Sequence, residues 1–363
     1  MTEKELKEAL RDVPGADEAA RAAAHAHWAR LAKPLGGLGA LETLVEDAAA
    51  LTGREMPDVS RRAALVLCAD NGVVAQGVSQ TDQSVTRAVA ANLAAGRTSV
   101  CRMAAAARCD VVPVDIGMAG EKVEGVLYRR IADGTADFTQ GPAMTREQAL
   151  LAIETGMALV RDAREAGFSL LATGEMGIGN TTTSSAVLCA LSGEPVEAVT
   201  GRGGGLTGAA FLKKKQVIEQ ALTINAPDAH DPIDVLHRVG GFDLCAMTGV
   251  FLGAAHERLP VVVDGFISVV AALCAARLRE NAGGYFIGSH VSYERGYEIA
   301  AQLLGLKPCL QLGMRLGEGS GCPLAFRVVE AACAVMNTMA TFPEAAIDDG
   351  YLTEIRERDS FTV

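Results

Sequence analysis

From about residue 63 the chain alternates short runs of apolar, often β-branched residues with longer stretches in which apolar positions recur at helical spacing. The runs at 63–68, 110–114, 168–172, 260–263, 284–287 and 309–312 read as strands. The stretches at 85–105, 146–166, 266–279 and 293–304 read as Ala-rich amphipathic helices. Strands that alternate with helices predict an α/β fold, a parallel sheet with helices on both faces. The interval between the third and fourth runs is long and holds a Gly-rich loop at 201–205 with several helical patterns, so extra structure is inserted there.

The two ends of the chain have a different pattern. Residues 3–11 and 16–32 read as Ala/Glu/Arg-rich helices interrupted by K-P-L-G-G-L-G at 33–39, and 324–345 reads as one long helix. The expectation is a small helical domain built from 1–60 with 324–363, beside an α/β domain at 61–323.

The residues just past the apolar runs bear on function. Asp70, Asp115, Glu175, Asp264, Ser289 with Ser292, and Glu318 stand at the ends of the six runs. In open parallel sheets ligands bind beyond the carboxyl ends of the strands, so these groups are expected to describe one crevice. Helix capping accounts for one or two of them, but it does not require the glycines that accompany nearly every one. The densest case is L-G-M-R-L-G-E-G-S-G at 312–321, where Glu318 is the one acid among four glycines. Glycine lets backbone approach a ligand closely, so this carboxylate is placed to touch a flat ligand.

Composition narrows the field. Aromatic residues are 4% of the chain, with Trp28 the single tryptophan, which argues against stacking platforms for single-stranded nucleic acid. The net charge of −11 argues against nucleic acid or an anionic membrane as partner, so an anionic substrate must be met by local donors. Nine cysteines in mostly apolar runs, without a C-x-x-C, read as buried thiols rather than disulfides or a zinc site. The opening M-T-E-K-E-L-K-E-A-L lacks an apolar core, and the longest apolar stretch, 266–276, is too short to span a bilayer. A cytoplasmic location is expected.

Two Gly-rich segments suit a phosphate. T-G-E-M-G-I-G-N-T-T-T-S-S at 173–185 runs from a strand into a helix, where free backbone N–H groups bind anions. It lacks the Gly-Lys of a triphosphate loop and the last glycine of a dinucleotide fingerprint, so a smaller phosphate fits better. G-R-G-G-G-L at 201–206 is followed by Lys213, Lys214 and Lys215, any of which could meet a phosphate as a point charge. The six histidines are scattered without ligand spacing, and no G-x-S-x-G elbow occurs, so neither a catalytic metal nor a Ser-His-Asp hydrolase is expected.

Taken in order, K-P-L-G-G-L-G-A-L-E, A-D-N-G-V-V, G-E-M-G-I-G-N-T-T, G-R-G-G-G-L, V-D-G-F-I, G-S-H-V-S-Y-E and M-R-L-G-E-G-S-G resemble the nicotinate-nucleotide–dimethylbenzimidazole phosphoribosyltransferase family. The resemblance runs from Lys33 to Ala345. It implies a Rossmann-like domain, a small helical domain, a homodimer, and no metal or other cofactor. It implies transfer of phosphoribose from nicotinate mononucleotide to a nitrogen of 5,6-dimethylbenzimidazole or a related base, giving α-ribazole 5′-phosphate and nicotinate. By position Glu318 matches the general base, with Glu175 beside it in the catalytic set. Glu175, Gly177, Gly179, Asn180 and Thr181 match the loop that holds phosphate and ribose. Lys214 matches a phosphate-binding lysine three residues before Val217, and Ser292, Asp264 and Leu316 match further substrate-binding positions. Thr81 and Val89 would line the base pocket.

That pocket segment departs from the family pattern. Asn71 stands where A-D-H-G-V has His, Asp82 where Pro is common, and Val89 where many members carry Gln. The departures keep the reaction type and leave the base open: a purine or a phenol is the alternative acceptor. A non-catalytic nucleotide sensor is the alternative from another class, and Glu318 in its glycine frame argues against it.

Overall fold

The computed structural model describes residues 1–353 and 355; of the expected 324–363 segment, 354 and 356–363 lie outside the described residues. Seven strands form one all-parallel sheet: β1 Arg62–Ala69, β2 Cys109–Gly117, β3 Leu127–Tyr128, β4 Leu170–Met176, β5 Val261–Val263, β6 Phe286–His290 and β7 Pro308–Leu310. Their order is β3-β2-β1-β4-β5-β6-β7. Chain direction across the sheet reverses between β1 and β4, as in doubly wound Rossmann-type sheets, and the crevice at such a switch point is the usual ligand site.

The helices are α1 Glu3–Arg11, α2 Glu18–Trp28, α3 Ala40–Thr52, α4 Ser84–Ala94, α5 Ser99–Ala106, α6 Arg146–Glu165, α7 Asn180–Ser192, α8 Val196–Val199, α9 Gly208–Asn225, α10 Pro232–Val239, α11 Phe242–His256, α12 Phe266–Leu278, α13 Tyr297–Leu304 and α14 Cys322–Thr338. Among the described residues none is long and apolar enough to cross a membrane.

All eight residues of β1 are buried because both sheet faces are covered. Ala63, Leu65 and Leu67 face a core shared with α6, α7, α11 and α12, while Ala64 of the same strand faces a second core. That second core joins Trp28 of α2, Val45 of α3 and Phe326 and Val329 of α14 to Leu170, Ala172, Val262 and Ile287. The terminal segments therefore divide: α2, α3 and α14 lie together on one face, whereas Leu6 and Leu10 of α1 enter the main core. We propose α2, α3 and α14 as the small helical unit.

The helices of the main core approach to backbone contact. A Cβ on Gly249 of α11 would lie 2.0 Å from the Ile153 carbonyl oxygen of α6, so only glycine fits at that crossing.

Several expected boundaries move for local reasons. The single helix at 85–105 is two, because Gly96 adopts φ 68° and Thr98 starts the next. The helix expected at 293–304 starts at Tyr297, and Ser292 and Glu294 of the segment before it line the cavity. The helix expected to reach Ala345 ends at Thr338, because the next residues turn to pair with the end of α2. Ala32 N–H donates to Ala340 O (3.0 Å) and Phe342 N–H to Arg30 O (3.1 Å). The two-residue β3 carries too short an apolar run to stand out in the sequence.

Candidate active site

A cavity of about 320 Å³ opens beyond the carboxyl ends of β4, β5 and β6 and is roofed by the segment after β7. Its walls include Glu175, Gly177, Gly179, Asn180, Thr181, Asp264, Ser292, Leu316, Glu318, Thr81 and Val89. These residues lie far apart in sequence and meet because five loops converge at one end of the sheet. Asp70, Asp115 and Ser289, expected in the same crevice, are placed otherwise. The Asp70 carboxylate accepts from Ala119 N–H (2.9 Å), Asp115 binds Arg130 (2.8 Å), and Ser289 Oγ donates to Asp264 O (3.1 Å). They tie strand-end loops to each other.

The loop carrying Glu318 is held in an uncommon conformation. Glu318 has φ 62° between Gly317 at 85° and Gly319 at 80°, and a non-glycine residue in that region costs on the order of 1–3 kcal/mol. The loop lies directly on β4: a Cβ on Gly174 would sit 2.6 Å from the Glu318 carbonyl oxygen. Glu318 Oε2 is buried with no hydrogen-bond partner, and burial raises its carboxyl above the ordinary range.

Glu175 and Asp264 line the cavity with it, and Asp243 lies behind Asn180. Glu175 is raised well above its usual value by burial first and by the neighbouring Asp243 next. Burial pushes Asp243 up to about 6 and Asp264 up to about 7. Asn180 Nδ2 donates to Glu175 and to Asp243 Oδ2 (3.1 Å), so its side chain joins two acids. The expectation of free N–H groups at the start of α7 also needs correction. Those of Asn180, Thr182 and Thr183 are already bonded to the carbonyls of Gly177 and Gly179.

Arg202 and Arg315 line the cavity, and a third cation, the expected Lys214, lies behind Thr181 without lining it. Lys214 is buried in the second turn of α9, and its Nζ donates to Thr181 Oγ1 (2.8 Å) and Gly201 O (3.2 Å). Burial lowers its ammonium to about 8, against the opposing pull of Glu294. Lys215 instead pairs with Glu197 (2.5 Å) at the surface. The phase of α9 explains the choice: Lys214 precedes the buried Val217, Ile218 and Ala221 by three, four and seven positions, the spacing of one helical face. That signal was present in the sequence.

Other groups escaped the sequence reading. Asp243 reaches the site from the start of α11. Glu294 lines the cavity with Oε2 buried and unpartnered, and burial raises its carboxyl. His290 also lines it, its Nδ1 3.0 Å from Ser289 Oγ, and burial lowers its pKa. Asn71 is fully buried beneath the Gly177–Gly179 turn, where its Nδ2 donates to Ile178 O (3.4 Å), and it does not line the cavity. Val78, Val89, Leu206 and Leu316 give part of the remaining wall an apolar face, beside Gln80, Thr81, Arg202 and Arg315.

A family model described as Phosphoribosyltransferase matches residues 13–347. The nicotinate-nucleotide–dimethylbenzimidazole phosphoribosyltransferase of Clostridium perfringens is 45% identical over 359 residues, covering 99% of each chain. The protein of that name from Roseiflexus sp. is 45% identical over 344 residues, covering 94% of this chain and 98% of the relative. A crystal structure of CobT from Thermus thermophilus superposes with a TM-score of 0.87 at 40% identity, over 92% of this chain and all of that one. Since the similarity runs through every loop that lines the cavity, the chain belongs to the nicotinate-nucleotide–dimethylbenzimidazole phosphoribosyltransferase family.

Proposed function

We propose that this protein transfers phosphoribose from nicotinate mononucleotide to a ring nitrogen of 5,6-dimethylbenzimidazole or a related base, with Glu318 as general base. The observation that carries the reading is one cavity with two unlike ends. Behind one end lies the buried Lys214, its Nζ bonded to the cavity-lining Thr181, and the other end holds a carboxylate with an unpartnered oxygen beside apolar side chains. Lys214, Thr181 and the Gly201–Gly205 turn hold the phosphate. The ribose then lies across the cavity floor by Glu175 and Ser292, and the flat acceptor lies against Val89 and Leu316.

In nicotinate mononucleotide the ring nitrogen is cationic, so the bond from C1′ to that nitrogen breaks with its electron pair returning to the ring. No acid need protonate the leaving group. The lone-pair nitrogen of the benzimidazole forms the new bond to C1′ from the opposite side, and the second ring nitrogen loses its proton to Glu318. Holding the two reactants in register supplies about 7–11 kcal/mol in favourable cases, and a positioned base adds ~10²–10⁴-fold. A carboxyl raised by burial is a stronger base than an exposed one.

The apolar part of the acceptor wall favours a second reading at the level of the acceptor. It offers few directional contacts, so purines or phenols compete with benzimidazoles there on burial alone. Mass spectrometry of products formed from one nucleotide and several competing bases tests both readings. Benzimidazole nucleotides as the main product support the first, a purine or phenol product supports the second, and nicotinate release without any nucleoside product contradicts both. The proposal includes a cytoplasmic homodimer, for which sedimentation equilibrium at twice the 37.7 kDa chain mass is the test.

A further inference from the structure

We infer that Asp264 is a positioning residue that ties the loop carrying Glu318 to the end of β5 and so holds the general base at the cavity wall. The inference rests on the reading of Glu318 as the base and adds to it a device that makes the base effective.

Residues 311–316 are exposed except for Met314, and the stretch through 319 contains left-handed positions at Gly313, Gly317, Glu318 and Gly319. Left to itself such a stretch samples many conformations, and fixing each residue costs about 1–2 kcal/mol. Two contacts oppose this just after Glu318. Asp264 Oδ2 accepts from Gly319 N–H (3.1 Å) and Oδ1 from Gly321 N–H (2.8 Å).

Asp264 is itself anchored by two bonds, one of them relayed to β4. Its own N–H donates to Ser268 Oγ (3.1 Å), its carbonyl accepts from Ser289 Oγ (3.1 Å), and Ser268 is 2.6 Å from Thr173 Oγ1 in β4. The latch therefore refers the loop to three adjacent strands. Gly174 completes it by letting the Glu318 backbone rest on β4. An amide at position 264 would keep one acceptor and set an NH₂ group against a backbone N–H donor, which breaks one of the two ties.

Two variants test this by different routes, Asp264→Asn through the latch and Gly174→Ala through the seat. The readouts are kcat, the calorimetric Kd for nicotinate mononucleotide, and the rate of trypsin cleavage after the exposed Arg315. In both variants kcat is expected to fall about tenfold or more, as small misplacements of a reacting group do. The Kd should stay within about threefold, and cleavage after Arg315 should accelerate about tenfold or more, because cleavage follows local opening. Unchanged cleavage in both variants overturns the inference. So does a Kd weakened about tenfold with kcat intact in Asp264→Asn, which makes Asp264 a ligand contact. Should Asp264→Asn fail to fold, Gly174→Ala decides. Faster cleavage with no transferase activity in the wild type would keep the latch and remove the proposed reaction instead.

Discussion

At the scale of single residues, burial decides what the charged groups do. Lys214 is held at about 8 because its ammonium is desolvated, so its charge is present below that pH and lost above it. Affinity for nicotinate mononucleotide is expected to weaken as pH rises from 7 to 9. Lys214→Met should remove that dependence and cost about 1.5–3 kcal/mol of binding at pH 7. The same change at Lys215, which sits in a surface pair with Glu197, should leave binding near wild type. Calorimetry across pH checks all three, and unchanged affinity in Lys214→Met would move the phosphate elsewhere. Much of this site was legible residue by residue. An acid or hydroxyl just past an apolar run identified Glu175, Asp264, Ser292 and Glu318, because strand ends in a parallel sheet face one crevice. The same rule misplaced Asp70 and Asp115, whose strands lie on the other side of the switch point, where the end loops close over one another. Asp243 and Glu294 could not be found that way, since a helix start and a loop bring them in from elsewhere in the chain.

At the scale of elements, glycine marks where backbones must touch. The α6–α11 crossing has no room for a side chain at Gly249, where a methyl group would stand 2.0 Å from Ile153 O and 2.9 Å from its Cα. Relief requires moving one of two helices that pack along the core. Gly249→Ala should therefore destabilise the fold by about 1–3 kcal/mol or more, read as a lower denaturant midpoint, although alanine has the higher helix propensity. A midpoint at or above wild type would show that the crossing relaxes freely. Six of the seven strands were visible in the sequence within a few residues, because their runs are largely buried between two helical layers and so mostly apolar. Helix ends were less visible. The stop at Thr338 depends on residues 340–342 pairing with the end of α2, some three hundred positions away. The short start of α13 depends on Ser292 and Glu294 being taken up by the cavity wall.

At the scale of the whole molecule, the buried Glu175, Asp243 and Asp264 gather at or just behind the cavity wall with the half-buried Glu318, and the protein carries the electrostatic load of that arrangement. Asp243 at about 6 and Asp264 at about 7 lie above their unfolded value of 3.8. Between about pH 4 and 7 the folded chain thus holds protons that the unfolded chain has released, so their contribution to stability falls as pH rises through that window. The melting temperature of the ligand-free protein should drop by a few degrees, on the order of 2–5 °C, from pH 5.5 to 7.5. Asp243→Asn should flatten the slope, and differential scanning calorimetry would reveal an unchanged slope if the cluster were not responsible. The most direct test of the proposed chemistry remains Glu318→Gln, which removes a base while leaving Lys214, Thr181 and the phosphate corner untouched. With both substrates saturating, nicotinate and α-ribazole phosphate are quantified together by mass spectrometry. The expected result is one nicotinate per nucleotide product in wild type and a fall in kcat of roughly a hundredfold or more in the variant, with nucleotide affinity kept. A variant that turns over within about twofold of wild type would contradict the assignment of Glu318 as the general base.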